Sequence, residues 1–476
     1  MRQRVSASIS VPPRKLHACV AVTIAVFSLS FICKTRDARA ADRAADKRPN
    51  VVVIVADDLG YADLGFQGSK DLLTPNLDRL ASGGVRCTNA YVSCPVCSPT
   101  RAGLLTGRYQ QRFGHEFNPG PPSQSAADFG LPLTEVTLAD RLKAAGYATG
   151  MVGKWHLGYE PKFAPQQRGF QEFFGFLAGA HSYSEWTKDA RGAILRGEEP
   201  TDEKMYLTDA FGREAGGFIA SHRAEPFFLY LPFNAVHLPA EATQKYLERF
   251  ASIKNPKRRT YAAMLSAMDD AVGEVLNALD SAKVTENTIV FFLSDNGGPP
   301  ANGSLNTPLR GAKSMVYEGG IRVPMVVRWP GHIPANSVCD QPIISLDIFP
   351  TALAAAGVDA AALVQKGKQP LDGVNILPLL EGRSKEPPHA ALYWRFGQAH
   401  AIRKGNLKLL KTPTSGVELY DLSSDVAEAN DLAAAQPEQV AKLQKDYDAW
   451  NAELAKPRWS PRGGGGRKAR AAADAD

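Results

Sequence analysis

The sequence predicts an α/β fold: a largely parallel sheet covered by helices. Four apolar runs carry the prediction, at 50–56 (Asn-Val-Val-Val-Ile-Val-Ala), 146–152, 226–232 and 288–293. None alternates with polar residues, and such runs suit strands buried on both faces. Helical patterns lie between them, with Met264, Met268, Val272, Val275 and Leu279 at helical spacing within Tyr261–Leu279. Strands that alternate with helices build parallel sheets, because each return to the sheet needs a crossover. A chain of 476 residues, 44% hydrophobic and 22% charged, suits one large domain and a smaller one.

Residues 1–40 read as a signal peptide. A basic start precedes the apolar stretch Ala18–Cys33, and Ala38-Arg39-Ala40 offers a small-x-small cleavage site. The stretch is short for a membrane span. Export to the periplasm or the medium is therefore expected, without stable membrane insertion; an uncleaved N-terminal anchor is the alternative. The net charge of +6 resides in this leader, which holds seven Lys/Arg and one acid. Without it, 48 basic and 48 acidic residues remain, so no nucleic-acid partner is implied. Four cysteines follow the leader, Cys87, Cys94, Cys97 and Cys339, too few for a disulfide scaffold.

Along the chain, each apolar run ends in residues capable of chemistry. The run 50–56 ends in Asp57-Asp58, and 146–152 in Gly153-Lys154-Trp155-His156. Asn234 and His237 follow 226–232, and Asp295-Asn296 follows 288–293. In a parallel sheet the carboxyl ends share one edge, where ligands bind. Each pair alone is equally a turn or a cap. Together the three carboxylates and one amide suit a hard divalent cation such as calcium. Lys154 and His156 flank Trp155 and would face one side of an extended strand.

Cys97-Ser-Pro-Thr-Arg101 begins a further helix. Pro99 suits a first helical position, and Cys97 would then lie where backbone donors favour an anion. A Cys94–Cys97 bridge is the competing use of this cysteine. After Ile343–Phe349 and a helix-like stretch to Ala356, the segment 367–388 reads as a connection. Three short antiparallel strands are expected at 390–394, 401–411 and 417–422, with a closing helix at 437–454. The domain plan is then a catalytic domain at 47–385, an antiparallel-sheet-plus-helix subdomain at 386–456 and a disordered tail at 457–476.

Cys97-Ser-Pro-Thr-Arg101, followed by Leu105-Thr-Gly107, resembles the signature of the type I sulfatases, of the arylsulfatase and N-acetylgalactosamine-6-sulfatase kind. So do Val55–Gly60, Gly153–Gly158, Glu318–Pro324 and Glu418–Leu422. The resemblance implies an alkaline-phosphatase-like sheet and a sulfuric ester hydrolase. By it, Cys97 is the residue oxidised to formylglycine, which implies a formylglycine-generating enzyme as a maturation partner. Asp57, Asp58, Asp295 and Asn296 match the calcium ligands, with Cys97 also contacting the metal. Arg101 matches the arginine supporting Cys97, and Lys154, His156, His237 and Lys313 the groups that hold sulfate and move protons.

The implied reaction begins with attack of the formylglycine hydrate on sulfur, with Asp295 as base. His237 or Lys313 protonates the leaving alcohol, and His156 takes a proton as the second hydroxyl releases sulfate. The expected substrate is a sulfated small molecule or glycan. Gly114–Asn118, with His115, and His181–Trp186 are polar and aromatic, as sugar-binding rims are. A phosphodiesterase or phosphonate monoester hydrolase on the same scaffold is the alternative.

Overall fold

The computed structural model describes Ser8 and residues 48–185, 189–358 and 370–460. The rest of the expected signal peptide lies outside the described residues, as do Trp186 and 461–476. Chain order begins with β1 (Asn50–Ala56), β2 (Val85–Cys87), β3 (Ala90–Tyr91), β4 (Ala148–Lys154) and β5 (Glu172–Phe176). Next come β6 (Leu195–Arg196), β7 (Glu199–Pro200), β8 (Phe227–Pro232) and β9 (Thr288–Ser294). Then β10 (Met325–Arg328), β11 (Ser337–Cys339) and β12 (Ile343–Ile344) follow. Ten of these form one sheet in the order β11-β2-β10-β9-β1-β8-β4-β5-β6-β7.

The four apolar runs are the four central neighbours β9, β1, β8 and β4, all parallel. Val53 of β1 lies opposite Tyr230 of β8 and Phe291 of β9. Both faces of β1 are buried, which is why its sequence does not alternate: Val51, Val53 and Val55 enter one core, Val52 and Ile54 the other. Helices α1 (Pro75–Ser82), α2 (Cys97–Thr106) and α3 (Leu138–Ala144) precede α4 (Leu207–Ser221), α5 (Pro256–Ser281) and α6 (Ile348–Ala355). The second core belongs to α1, α4 and α5, and the first to α3 and α6. In α5 the expected stripe from Met264 to Leu279 is buried against the sheet. Asn255 caps it by accepting the Arg258 N–H at 3.1 Å, and Pro256 opens it.

A second, four-stranded antiparallel sheet follows: β13 (Leu392–Phe396), β14 (Ala399–Lys404), β15 (Leu407–Thr412) and β16 (Gly416–Asp421). The single strand expected at 401–411 is two. Gly405, at φ 60°, and Asn406 turn the chain between β14 and β15. A two-residue Gly-Asn loop is a hairpin signal that an apolar count overlooks. Helix α7 (Pro437–Ala452) lies against this sheet through Leu443, Tyr447 and Trp450. Trp459, inside the expected tail 457–476, is buried, and its indole donates to the Phe117 carbonyl at 3.0 Å.

Buried charge joins the C-terminal sheet to the loop that follows Lys313. Lys408 of β15 donates to Glu318 at 2.9 Å and lies 2.8 Å from Glu428, all three without exposed side-chain surface. Burial raises both carboxyls. Lys408 and Arg322 overcome it at Glu318, pulling that group to about 2. Glu428, with Glu318 beside it, is pushed up to about 7. Replacing Lys408→Met leaves buried Glu428 without its cation and Glu318 with Arg322 alone, and is expected to cost about 3 kcal/mol. Equilibrium urea unfolding monitored by tryptophan fluorescence checks this, and a midpoint unchanged from the parent would contradict it.

Candidate active site

The carboxyl ends of β9, β1, β8 and β4 bring Asp295-Asn296, Asp57-Asp58, Asn234/His237 and Lys154/His156 to one edge of the sheet. Helix α2 begins at that edge. It starts at Cys97 itself, with Val96 as the capping residue, so Pro99 is its third residue rather than its first. The N–H groups of a first helical turn have no intrahelical acceptor, so a proline there loses nothing. Cys97 thereby gains the helix N-terminus directly.

Backbone strain accumulates here as well. Asp58 (φ 63°), His156 (φ 59°) and Ser314 (φ 70°) all adopt left-handed conformations without being glycine. His156 therefore does not continue β4, contrary to the extended alternation with Lys154. Its N–H instead bonds to Leu177 O at 3.1 Å, and its carbonyl accepts from Ser98 Oγ at 2.6 Å. At Gly297 a Cβ would lie 1.8 Å from Gly319 O, so only glycine lets the Asp295-Asn296 turn close on this loop.

Three acids and three bases interlock at the centre. Asp57 accepts from Lys154 Nζ at 2.6 Å and from the Cys97 thiol at 3.4 Å. Asp295 Oδ2 accepts from Arg101 Nη2 at 2.6 Å and Nε at 3.0 Å, while Arg101 also stands 3.5 Å from Asp57. Asp58 accepts from Lys313 Nζ at 3.0 Å, with His237 Nε2 at 3.6 Å and Asn296 Nδ2 donating at 2.7 Å. Asp57, Cys97, Arg101, Lys154, Asp295 and Asn296 are 0% exposed.

Burial is the largest influence on every shifted group. It would raise Asp57, but Lys154, His237 and Arg101 hold that carboxyl below its usual range. Asp295 stays raised by burial and by Asp57, although Arg101 opposes them. Burial and the two carboxylates push the Cys97 thiol well up, so an unmodified Cys97 is a neutral thiol. Burial and the neighbouring cations lower both His156 and His237, and His156 far enough to leave a neutral imidazole. Lys313 is held up by Asp58, with Asp57 and Asp295 behind it, against burial.

Because three cations already neutralise three carboxylates, charge alone does not demand a metal. The oxygen atoms do better. Asn296 Oδ1 is buried without any hydrogen-bond partner, and Asp295 Oδ1 receives one long contact, 3.3 Å from the Asp58 N–H. Ligand atoms of Asp57, Asp58, Cys97 and His237 lie within 4.8 Å of one another. The carboxylates and the amide make an oxygen-rich set that fits a hard cation. His237 Nε2 is likewise buried without a hydrogen-bond partner and faces Asp58 at 3.6 Å.

His115 stands apart from this cluster. It is fully buried, 2.7 Å from Ser98 Oγ and edge-on to Trp459, and burial pushes it down to about 3. The expected rim 114–118 instead anchors α2 and the C-terminal sheet: Asn118 accepts the Ser98 N–H, and Glu116 pairs with Arg395. Two residues inside the quoted segments, given no individual role from sequence, also join the site. Tyr183 donates to His237 O at 2.8 Å, and Ser98 links His115 to His156. Nothing in residue type distinguishes either from a surface polar side chain. Ser182 and Glu241 line a cleft of about 800 Å³ with Asp189 and Arg191.

The sulfatase family profile matches residues 49–358, and the profile of the N-sulphoglucosamine sulphohydrolase C-terminal region matches 312–454. The chain is 33% identical to mouse (Mus musculus) arylsulfatase J over 89% of its own length and 79% of that protein. It is 37% identical to human (Homo sapiens) N-acetylgalactosamine-6-sulfatase, covering 76% of this chain and 72% of that one. Among solved structures, Ps i-CgsB, also crystallised with k-i-k-neocarrahexaose, superposes with a TM-score of 0.82 at 36% identity. That match covers 87% of this chain and 94% of Ps i-CgsB. With its helix-covered parallel sheet and this catalytic edge, the chain belongs to the sulfatase family and is a sulfuric ester hydrolase.

Proposed function

We propose that the protein is an exported sulfatase that removes sulfate from a carbohydrate, using formylglycine formed from Cys97 and a calcium ion. The placement of Cys97 supports this most: a buried helix N-terminus 3.4 Å from Asp57, ringed by Lys154, Lys313 and Arg101. Calcium would be held by Asp57, Asp58, Asp295 and Asn296, beside residue 97. When present, the ion supplies charge neutralisation, and the hydrated aldehyde supplies a nucleophilic hydroxyl with a second one for release of sulfate.

The chain's own residues do the rest. Arg101 fixes Asp295 and Asp57 as charged, oriented carboxylates, and Asp295 Oδ1 is left to accept the nucleophile's proton. Lys154, held by Asp57, and Lys313, held by Asp58, both act on residue 97 and would neutralise the sulfate oxygens there. The neutral His156 can accept a proton as sulfate departs. His237 or Lys313, which converge on Asp58 Oδ2, supplies the proton for the leaving alcohol from that side. The neighbouring cleft has room for sugar units beyond the one carrying sulfate, as the hexasaccharide complex of Ps i-CgsB suggests.

Turnover of 4-nitrophenyl sulfate, compared with a phosphodiester analogue and followed by a sulfated-glycan panel, tests this reading. Peptide mass spectrometry should report formylglycine at position 97. Intact Cys97 in fully active enzyme would refute the nucleophile, and preference for the phosphodiester would refute the substrate class. Exhaustive chelation is expected to slow turnover about 100-fold, with recovery on adding calcium. Unchanged rates after chelation would remove the metal from the proposal.

A further inference from the structure

Cys87 and Cys339 are register partners on the adjacent parallel strands β2 and β11. Partners across a sheet point to the same face, and neighbouring strands run about 4.8 Å apart. That separation falls within the roughly 4.4–6.8 Å Cα spacing of disulfides. Both side chains are buried, and each thiol acts on the other's titration. Cys94 lies elsewhere, buried ahead of α2, where its carbonyl accepts from Thr100 Oγ1 at 2.7 Å.

We propose that Cys87 and Cys339 form a disulfide that clamps the edge strand β11 to β2 in the exported protein, leaving Cys94 as a thiol. β11 borders the sheet and pairs on one side only, so Cys339 is the sulfur an oxidant reaches first. The Cys87 thiol beside it also draws the Cys339 thiol down. The co-reactant is a protein or small-molecule disulfide of the export compartment. Cys339 attacks it to form a mixed disulfide and release one thiol; Cys87 then displaces the second thiol as the Cys87–Cys339 bond forms. Two electrons and two protons thus pass to the oxidant's sulfurs. The closed loop contains Cys97, Lys154, His156, His237, Asp295 and Lys313, so the bond tethers most of the site without touching it.

The test is peptide mapping of full-length exported protein, trapped with an alkylating agent at acid pH and digested without reductant. One cross-linked peptide joining Cys87 to Cys339 is expected, with Cys94 alkylated. Reduced protein incubated with oxidised glutathione should give the same product, which separates this proposal from the export reading. Labelling at Cys97 reports on formylglycine and not on this pair. The double variant Cys87→Ala/Cys339→Ala should keep its turnover and melt several degrees lower, at the temperature of the reduced parent. Alkylation of both Cys87 and Cys339 after glutathione treatment overturns the proposal, as does a cross-link from either to Cys94.

Discussion

Cys97→Ala is expected to hydrolyse 4-nitrophenyl sulfate about 1,000-fold or more slowly than the parent while melting within a few degrees of it. The two readouts separate because the residue has a small structural role. It is the first residue of α2, wholly buried, and alanine is a good helix former that removes one heavy atom. Such a change costs roughly 1 kcal/mol. Every group that neutralises charge around the sulfate stays in place, so the missing rate is that of the nucleophile. Cys97→Ser sharpens the result: serine offers one hydroxyl, and the release step needs a second on the same carbon. That variant is expected to give about one equivalent of 4-nitrophenol and stall. Sustained turnover by the alanine variant, measured under substrate excess, would place the nucleophile elsewhere.

The legible parts of this protein are those with a residue-type signature. The central strands announce themselves because burial on both faces removes alternation, and their polar ends mark the candidate site. Local geometry was harder to read. Nothing about Lys154-Trp155-His156 signals that His156 turns left-handed at φ 59°, since that conformation is imposed by Leu177 and Ser98 from distant segments. His115 looks like a rim residue beside a motif, yet Trp459, more than three hundred residues later, seals it inside. The Cys87–Cys339 pairing is equally invisible, because it depends on the register of two three-residue strands.

Arg101→Met is expected to lower stability by about 3–5 kcal/mol at neutral pH, and to do so more at high pH than at low. Arg101 is buried between Asp295 and Asp57, and methionine keeps the stem's bulk without the charge. Asp57 lies below the usual carboxylate range, so its ionised form adds stability above the unfolded-state value, and this is lost as pH falls through the folded-state value. Asp295 lies above that range, so its contribution has the opposite sign and fades as pH rises. Removing Arg101 moves both carboxyls upward. At neutral pH the variant then holds ionised acids without their partner, whereas acidification protonates them and narrows the deficit. The melting-temperature gap between parent and variant should therefore be smaller at about pH 5 than at about pH 8. Added calcium should recover more of the gap in the variant, since a cation bound only by the folded state stabilises by mass action and meets less competing charge there. A gap equal at both pH values and indifferent to calcium would mean that Arg101 contributes packing rather than charge.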